Sequence, residues 1–440
     1  MRPFFKGIQL PDFEASTLLT TQIFAPKSPP FVTLHVQAGS KILVCQGDVV
    51  CVGSRLTDPN DFFSVPIHAS TSGKVVRVSN GEIQIESDVL DRLDPSIHPR
   101  LLIPTAPDEI LDLIREAGVI DLGGSGASTY QALLTARTNE PKILVIDCCQ
   151  LEPFVTADDM LILNFAAEIL KGVELLRVAC GAARAVIAVS KAKSEMREIL
   201  NSKNYNLKFS SIETVIVSNR YPQNQKEILA ETITGKILKW GELASSAGVH
   251  VENLATVFAC YEAVYLNKPL FERVVTVGGP CIADPKNLWV RAGVSAKYLF
   301  NLCKGFLRDP ERVVLGGPVM GRAIQDLETA MPLEAQALLA LPKEIVNSHA
   351  EEPCIRCGHC VDACPEALLP ETLVRAVRKA NTEQALEFGI HGCTECNACV
   401  YVCPSHIPIV QVIREGKQKF QNTYAETQGV SIEEKVAEVV

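Results

Sequence analysis

The 440-residue sequence predicts a multidomain chain of mixed α+β and α/β class. Three observations carry that expectation. Turn residues recur at short intervals between 30 and 90, strand and helix patterns alternate from about 105 to 235, and two like runs of four cysteines stand between 354 and 403. At roughly 150 residues per domain the length holds about three domains. Apolar residues at 47% and charged residues at 21% are the composition of a folded globular chain.

The elements follow in order. Phe31-Val32-Thr33-Leu34-His35-Val36 alternates apolar with other residues, and Lys41-Ile42-Leu43-Val44 follows a turn at Gly39. Asn80-Gly81 is a two-residue hairpin signal, so a small β-sandwich or barrel is expected here. From about 105 the period changes: residues 108–118 have helical spacing and 142–147 form an apolar strand. Helices are expected over 157–176 and 191–202, with strands over 184–189 and 213–218. That alternation predicts a largely parallel sheet with helices on both faces. Beyond Gly235, short strands at 271–277, 288–290 and 313–315 predict a small α+β module, and 321–350 reads as a connector. Residues 370–388 read as one long amphipathic helix, with Leu373, Val374, Val377 and Ala380 on one face. Residues 426–440 read as a solvated tail or weak helix. Trp240 and Trp289 are expected in the core, His68 as a packed loop histidine, and Lys191, Lys193 and Arg197 on a solvated face.

Charge excludes one partner class. Lys and Arg number 42 against 51 Asp and Glu, a net charge of −9, whereas phosphate backbones call for a surplus of cations; no nucleic acid is expected. No stretch approaches the ~20 apolar residues of a spanning helix, and Met-Arg-Pro-Phe-Phe-Lys has no secretion-signal core. A cytoplasmic protein is expected. In that reducing compartment sixteen cysteines are not disulfides. The eight scattered ones (Cys45, Cys51, Cys148, Cys149, Cys180, Cys260, Cys281 and Cys303) read as small buried hydrophobes.

The other eight carry chemistry. Cys354-x2-Cys357-x2-Cys360-x3-Cys364-Pro365 and Cys393-x2-Cys396-x2-Cys399-x3-Cys403-Pro404 each have the spacing of a two-cluster bacterial ferredoxin. Three close thiolates wrap three corners of a cube, and the following proline turns the chain away from it. Cys354, Cys357, Cys360 and Cys403 are therefore expected on one [4Fe–4S] cluster, and Cys393, Cys396, Cys399 and Cys364 on the other. Zinc sites use separate CxxC pairs and leave this repeat unexplained. Upstream, the turn 118–126 ends in Gly123-Gly124-Ser125-Gly126, a loop type whose N–H groups approach phosphates; a Rossmann fingerprint would continue Gly-x-x-Gly, and this one does not.

From residue 7 to about 420 the chain resembles the RnfC family, the C subunits of the Rnf ion-translocating electron transport complex. The resemblance rests on Pro66-Ile67-His68-Ala69-Ser70-Thr71-Ser72-Gly73-Lys74-Val75, Leu122-Gly123-Gly124-Ser125-Gly126 and Glu152-Pro153-Phe154-Val155-Thr156-Ala157-Asp158-Asp159. Tyr221-Pro222-Gln223, Tyr261-Glu262-Ala263-Val264, Lys268-Pro269-Leu270, Gly316-Gly317-Pro318-Val319-Met320-Gly321 and the cysteine runs extend it. It implies a barrel-sandwich hybrid (1–100), a Rossmann-like flavin domain (101–235), a β-grasp module (236–335), a helical two-cluster ferredoxin domain (336–422) and an acidic tail (423–440). It also implies FMN and NADH at Gly123, Gly124, Gly126 and Glu152. The implied chemistry takes a hydride from NADH to the flavin and single electrons onward to the ferredoxin-type RnfB protein. The implied partners are RnfB and the membrane subunits of the complex, at the cytoplasmic side of the inner membrane.

The sequence departs from the family where the flavin chemistry sits. The usual loop reads Gly-Leu-Gly-Gly-Ala-Gly-Phe-Pro-Thr with a lysine three residues on. Here the leading glycine is Asp121, Phe-Pro is Ala127-Ser128 and the lysine is Ala132. Gln150 replaces a carboxylate, and Asn224-Gln225 replace two glycines. FMN binding is expected to be weak or missing, with the clusters intact. Two other readings are a soluble flavin and iron–sulfur reductase resembling microcompartment cobalamin reductase, and a relay protein without flavin. Asp158 and Asp159 stand between helix N-terminal carboxylates and nucleotide contacts.

Overall fold

The computed structural model describes residues 1–11, 13, 22–61, 63–79, 81–346 and 349–428. Asn80 and most of the tail expected over 423–440 lie outside them. In the β domain, β1 (Phe31–His35), β2 (Lys41–Ile42), β3 (Val49–Val50), β4 (Thr57–Asp58), β5 (Gly73–Ser79) and β6 (Glu82–Ser87) form two antiparallel ladders, β1-β6-β5-β3 and β2-β4. Alternation sets the faces: Val32 and Leu34 turn inward against Val75, Ile83 and Ile85, while Phe31 stays exposed. The strand expected over 41–44 stops at Ile42.

The next layer holds α1 (Pro107–Glu116), α2 (Thr129–Thr138), β7 (Ile143–Cys148), α3 (Ala157–Cys180), β8 (Arg184–Ser190), α4 (Ser194–Leu207), β9 (Ile212–Val217), α5 (Lys226–Thr234), β10 (Val249–Asn253) and α6 (Leu254–Leu266). Its four strands are parallel in the order β10-β7-β8-β9. Successive residues of β7 face opposite cores. Leu144 and Ile146 pack toward α3 and α6, and Val145 toward α5. β10, beyond the expected limit at 235, pairs with β7 from Val249↔Ile143 to Asn253↔Asp147 and lies in this sheet. α3 also runs past the expected 176 to Cys180, where left-handed Gly181 ends it.

A second sheet comprises β11 (Glu272–Gly278), β12 (Lys286–Arg291), β13 (Arg312–Leu315), β14 (Arg322–Ile324) and β15 (Ala337–Leu341), with α7 (Ala296–Leu302) in the same core. Its order is β12-β11-β15-β13-β14. The connector expected over 321–350 is corrected, since two strands of this sheet lie within it. β15, buried at every residue, lies between β11 and β13, and β14 pairs with β13.

The C-terminal module is helical: α8 (His359–Ala363), α9 (Pro370–Arg378), α10 (Thr382–Glu387), α11 (Ala398–Tyr401) and α12 (Ile409–Gln428). The single helix expected over 370–388 is two. Ala380 turns left-handed at φ +53°, and the Asn381 side chain accepts the Gln384 N–H to start α10. Three smaller expectations also change. Trp240 is half exposed, its ring lying over Gly389 and Gly392. Lys193 is buried and paired with Asp159 at 2.5 Å, and Cys45 is exposed. Among the described residues no helix is long and apolar enough to cross a membrane.

Candidate functional site

The two cysteine runs fold as a repeat with an offset of 39 positions, Cys354 to Cys393 and Cys364 to Cys403. The backbone turns left-handed at matching places, Arg356 and Glu395, Gly358 and Asn397, Ala367 and His406. These turns curl each run so that N–H groups face sulfur: Arg356 toward Cys354 at 3.4 Å, Glu366 and Leu368 toward Cys364, Glu395 toward Cys393, and Ala398 toward Cys396. Donors of this kind stabilise thiolate and tune a cluster. The short helices α8 and α11 carry Cys360 and Cys399.

The runs then interleave. Cys354, Cys357, Cys360 and Cys403 line one cleft of about 750 Å³. Cys364, Cys393, Cys396 and Cys399 line a second, smaller cavity of about 20 Å³. Burial pushes the Cys364 thiol up to about 11, with Cys396 and Cys393 adding to it. Burial pushes Cys399 up as well, then its neighbours Cys396, Cys393, Cys364 and Cys360. A set of buried, crowded thiols fits an iron–sulfur cube, whose metal charge compensates four thiolates. Among the described residues no three His, Cys, Asp or Glu side chains are gathered as a single-ion site.

The second cavity faces the rest of the molecule. Tyr221 donates its hydroxyl to the Cys396 carbonyl at 2.8 Å, and Asn397 Nδ2 donates to the Val319 carbonyl at 2.9 Å. The indole N–H of Trp240 donates to the Glu366 carbonyl at 3.0 Å. Sequence reading missed these three. Only the Tyr221-Pro222-Gln223 string marked the first, and nothing marked its role.

The glycine loop is already filled from within. Asp121 Oδ1 accepts the Gly123 N–H at 2.8 Å, and Oδ2 accepts the Ser125 hydroxyl at 2.6 Å. The Gly126 N–H goes to the Asp121 carbonyl at 3.1 Å and the Leu122 N–H to Thr256 Oγ1 at 2.9 Å. Burial opposes ionisation of Asp121, but Lys226, Ser125 and the Gly123 N–H outweigh it and hold the carboxyl below its ordinary range. Gly124 has open space beside it. Asp121 thus puts a buried anion against one amide and one hydroxyl of the loop, and that charge works against a flavin phosphate there.

Glu152, expected at the flavin or nucleotide, is buried and bonded to the 316–321 loop. Its carboxylate accepts the Val319 and Met320 N–H groups, each at 3.0 Å. Burial pushes it up to about 7 although those two donors pull it down. Gln150 Oε1 accepts the Asp158 N–H at 2.9 Å. Asp158 and Asp159 are buried in the first turn of α3, Asp159 against Lys193. His68 is buried, and burial, then Arg55, pushes it down to about 4, so it is neutral.

Comparison with known proteins matches this geometry. The RnfC barrel sandwich hybrid domain matches residues 3–92, the Nuo51 FMN-binding domain 114–262 and the 4Fe-4S dicluster domain 347–421. The chain is 33% identical over 404 residues to the C subunit of the ion-translocating oxidoreductase complex of Pasteurella multocida, covering 88% of this chain and 48% of that one. It spans about half the length of that relative. It is 32% identical to the C subunit of the Na(+)-translocating ferredoxin:NAD(+) oxidoreductase complex of Acetobacterium woodii, covering 83% of this chain and 85% of that one. The C subunit of the proton-translocating ferredoxin:NAD(+) oxidoreductase complex of Clostridium ljungdahlii is also 32% identical, with 81% and 79% covered. With a dicluster domain at its C-terminal end and such relatives matched over most of their length, the chain belongs to the RnfC family, the C subunits of the ion-translocating oxidoreductase complexes.

Proposed function

We propose that this chain is the iron–sulfur electron-transfer subunit of a membrane-bound complex that couples electron transfer between NADH and ferredoxin-side carriers to ion movement. It would sit peripherally at the cytoplasmic face of the inner membrane, against the membrane subunits and the ferredoxin-type RnfB protein. The observation that carries the reading is the pair of cavities, each lined by three cysteines of one run and the last cysteine of the other. Cys354, Cys357, Cys360 and Cys403 would hold one [4Fe–4S] cluster, and Cys393, Cys396, Cys399 and Cys364 the second. Such clusters pass one electron at a time. The protein's part is to hold four thiolates per cluster, aim N–H groups at them, and keep the inner set out of water.

No step is assigned to FMN, because the Asp121 carboxylate sits on the Gly123 N–H and the Ser125 hydroxyl and repels a phosphate from that loop. That observation favours a relay without tightly held flavin over a free-standing reductase of the cobalamin-reductase kind. The sheet memberships support domain limits near 100, 266 and 345.

Anaerobic purification is expected to yield about eight irons and eight sulfides per chain. EPR of reduced Cys403→Ser should lose the signal of the first run's cluster, and Cys364→Ser that of the second. Zinc in place of iron, or each serine erasing its own run's signal, overturns the assignment.

A further inference from the structure

The two halves of the dicluster module repeat in backbone but not in surroundings. In the first run Cys354 and Cys357 are exposed and Ile355 is 68% exposed. In the second, the loop from Cys393 to Cys399 is gripped from outside its module. Tyr221, 2% exposed, donates to the Cys396 carbonyl, and Ile8, Tyr221, Cys396 and Ala398 share one small core.

The other grip runs through three links. The buried Glu152 carboxylate takes the N–H groups of Val319 and Met320. Gly317 leaves room for it, since a Cβ there would lie 2.4 Å from the carboxylate. The Val319 carbonyl in turn receives Asn397, the residue after Cys396. Asn397 has φ +61°, and its counterpart 39 positions earlier is Gly358 at φ +82°. Glycine adopts that conformation at no steric cost; the asparagine in its place supplies the side chain that reaches Val319.

We propose that Glu152 and Tyr221 are positioning residues for the inner cluster, which hold its ligand loop from two sides and set its reduction potential apart from that of the outer, exposed cluster. Glu152 acts through the 316–321 loop and Asn397, and Tyr221 through the Cys396 carbonyl. A cluster's potential follows its net charge, hydrogen bonds and exposure. In a water-poor site an ionised carboxylate disfavours an added electron and a hydroxyl dipole aimed at the ligand loop favours it, so the Glu152 effect is read at alkaline pH, where that carboxyl is charged. The difference gives the pair of clusters a direction. This positioning role rests on the dicluster reading of the eight cysteines.

The test is a redox titration of the full chain followed by EPR, with the inner signal identified as the one lost in Cys396→Ser. Glu152→Gln is expected to raise the inner cluster's midpoint potential and Tyr221→Phe to lower it, with the outer cluster unmoved in both. If Glu152→Gln does not fold, Asn397→Gly, which copies the other half of the repeat, is expected to shift the inner potential alone. Iron content separates two kinds of failure. A parent chain well short of about eight irons overturns the dicluster reading and the positioning role with it. Fully loaded variants with unmoved potentials, or with both clusters moved equally, overturn the positioning role alone.

Discussion

At the glycine loop, Asp121 accepts one backbone N–H and one hydroxyl that a bound phosphate would otherwise take. Asp121→Gly removes that internal anion, and a recovered charge-assisted contact is worth about 1.5–3 kcal/mol. FMN affinity is therefore expected to rise roughly ten- to a hundredfold, as read by isothermal titration of parent and variant. Equal affinity in both would show that the carboxylate is not what blocks the loop. Asp147 makes a second residue-scale prediction. Burial raises it from 3.8 to about 7, against the N–H bond from Cys149. It holds a proton more tightly folded than unfolded, so its stabilising share is complete below about pH 4 and is lost as pH rises through about 7, up to about 4 kcal/mol. An asparagine in its place would keep the Cys149 bond without titrating. The thermal midpoint of the parent should fall more steeply between about pH 6 and pH 8 than that of Asp147→Asn; parallel slopes would refute it.

Among the elements, α3 and α6 approach so closely that a Cβ on Gly172 would lie 2.6 Å from the Val257 carbonyl. That contact explains a glycine inside a 24-residue helix, where it costs about 1 kcal/mol of helix propensity. Gly172→Leu forces the helices apart and is expected to destabilise the parallel layer by about 1–3 kcal/mol or more. A denaturation midpoint equal to the parent's would mean the packing gives way without cost. α9 and α10 show the converse case, in which one apolar stripe continues across a break. Leu373, Val374, Val377 and Ala385 all reach the core shared with α12 although Ala380 interrupts the helix. The stripe is legible in sequence; the break is decided by a backbone turn that periodicity does not register.

On the scale of the whole molecule, contacts between the dicluster module and its neighbours include Trp240 on Gly389, Gly392 and Glu366, Tyr221 on Cys396, Gln225 on Thr394 and Asn397 on Val319. Its own core is small and includes Cys364 and Cys399, proposed above as cluster ligands. Metal binding is then much of its folding free energy. Chelating the iron is expected to strip hydrogen-exchange protection from 354–420 while β7 to β10 keep theirs. Uniform loss across both regions would show one cooperative unit instead.

What depends on local spacing is legible in the amino-acid order alone. Cysteines three residues apart, the apolar run of β7 and the turn signals around β1 to β6 are read within a dozen residues, because ligand reach and backbone period act at that range. Much less is legible where burial is two-sided. β15 is apolar and buried throughout and α6 is buried on nearly every face, which erases the period that marks an element, so β15 reads as a connector and α6 has no helical signature. β10, half-buried at His250 and Asn253, showed no clear strand pattern either. Glu152 is the sharpest case. The resemblance implies a flavin or nucleotide near it, and nothing local marks its hydrogen-bond partner Val319, 167 positions along the chain. Only the folded arrangement of sheet, loop and cysteine module decides which backbone donors a buried carboxylate meets, since a buried charge must take the partners that packing brings to it.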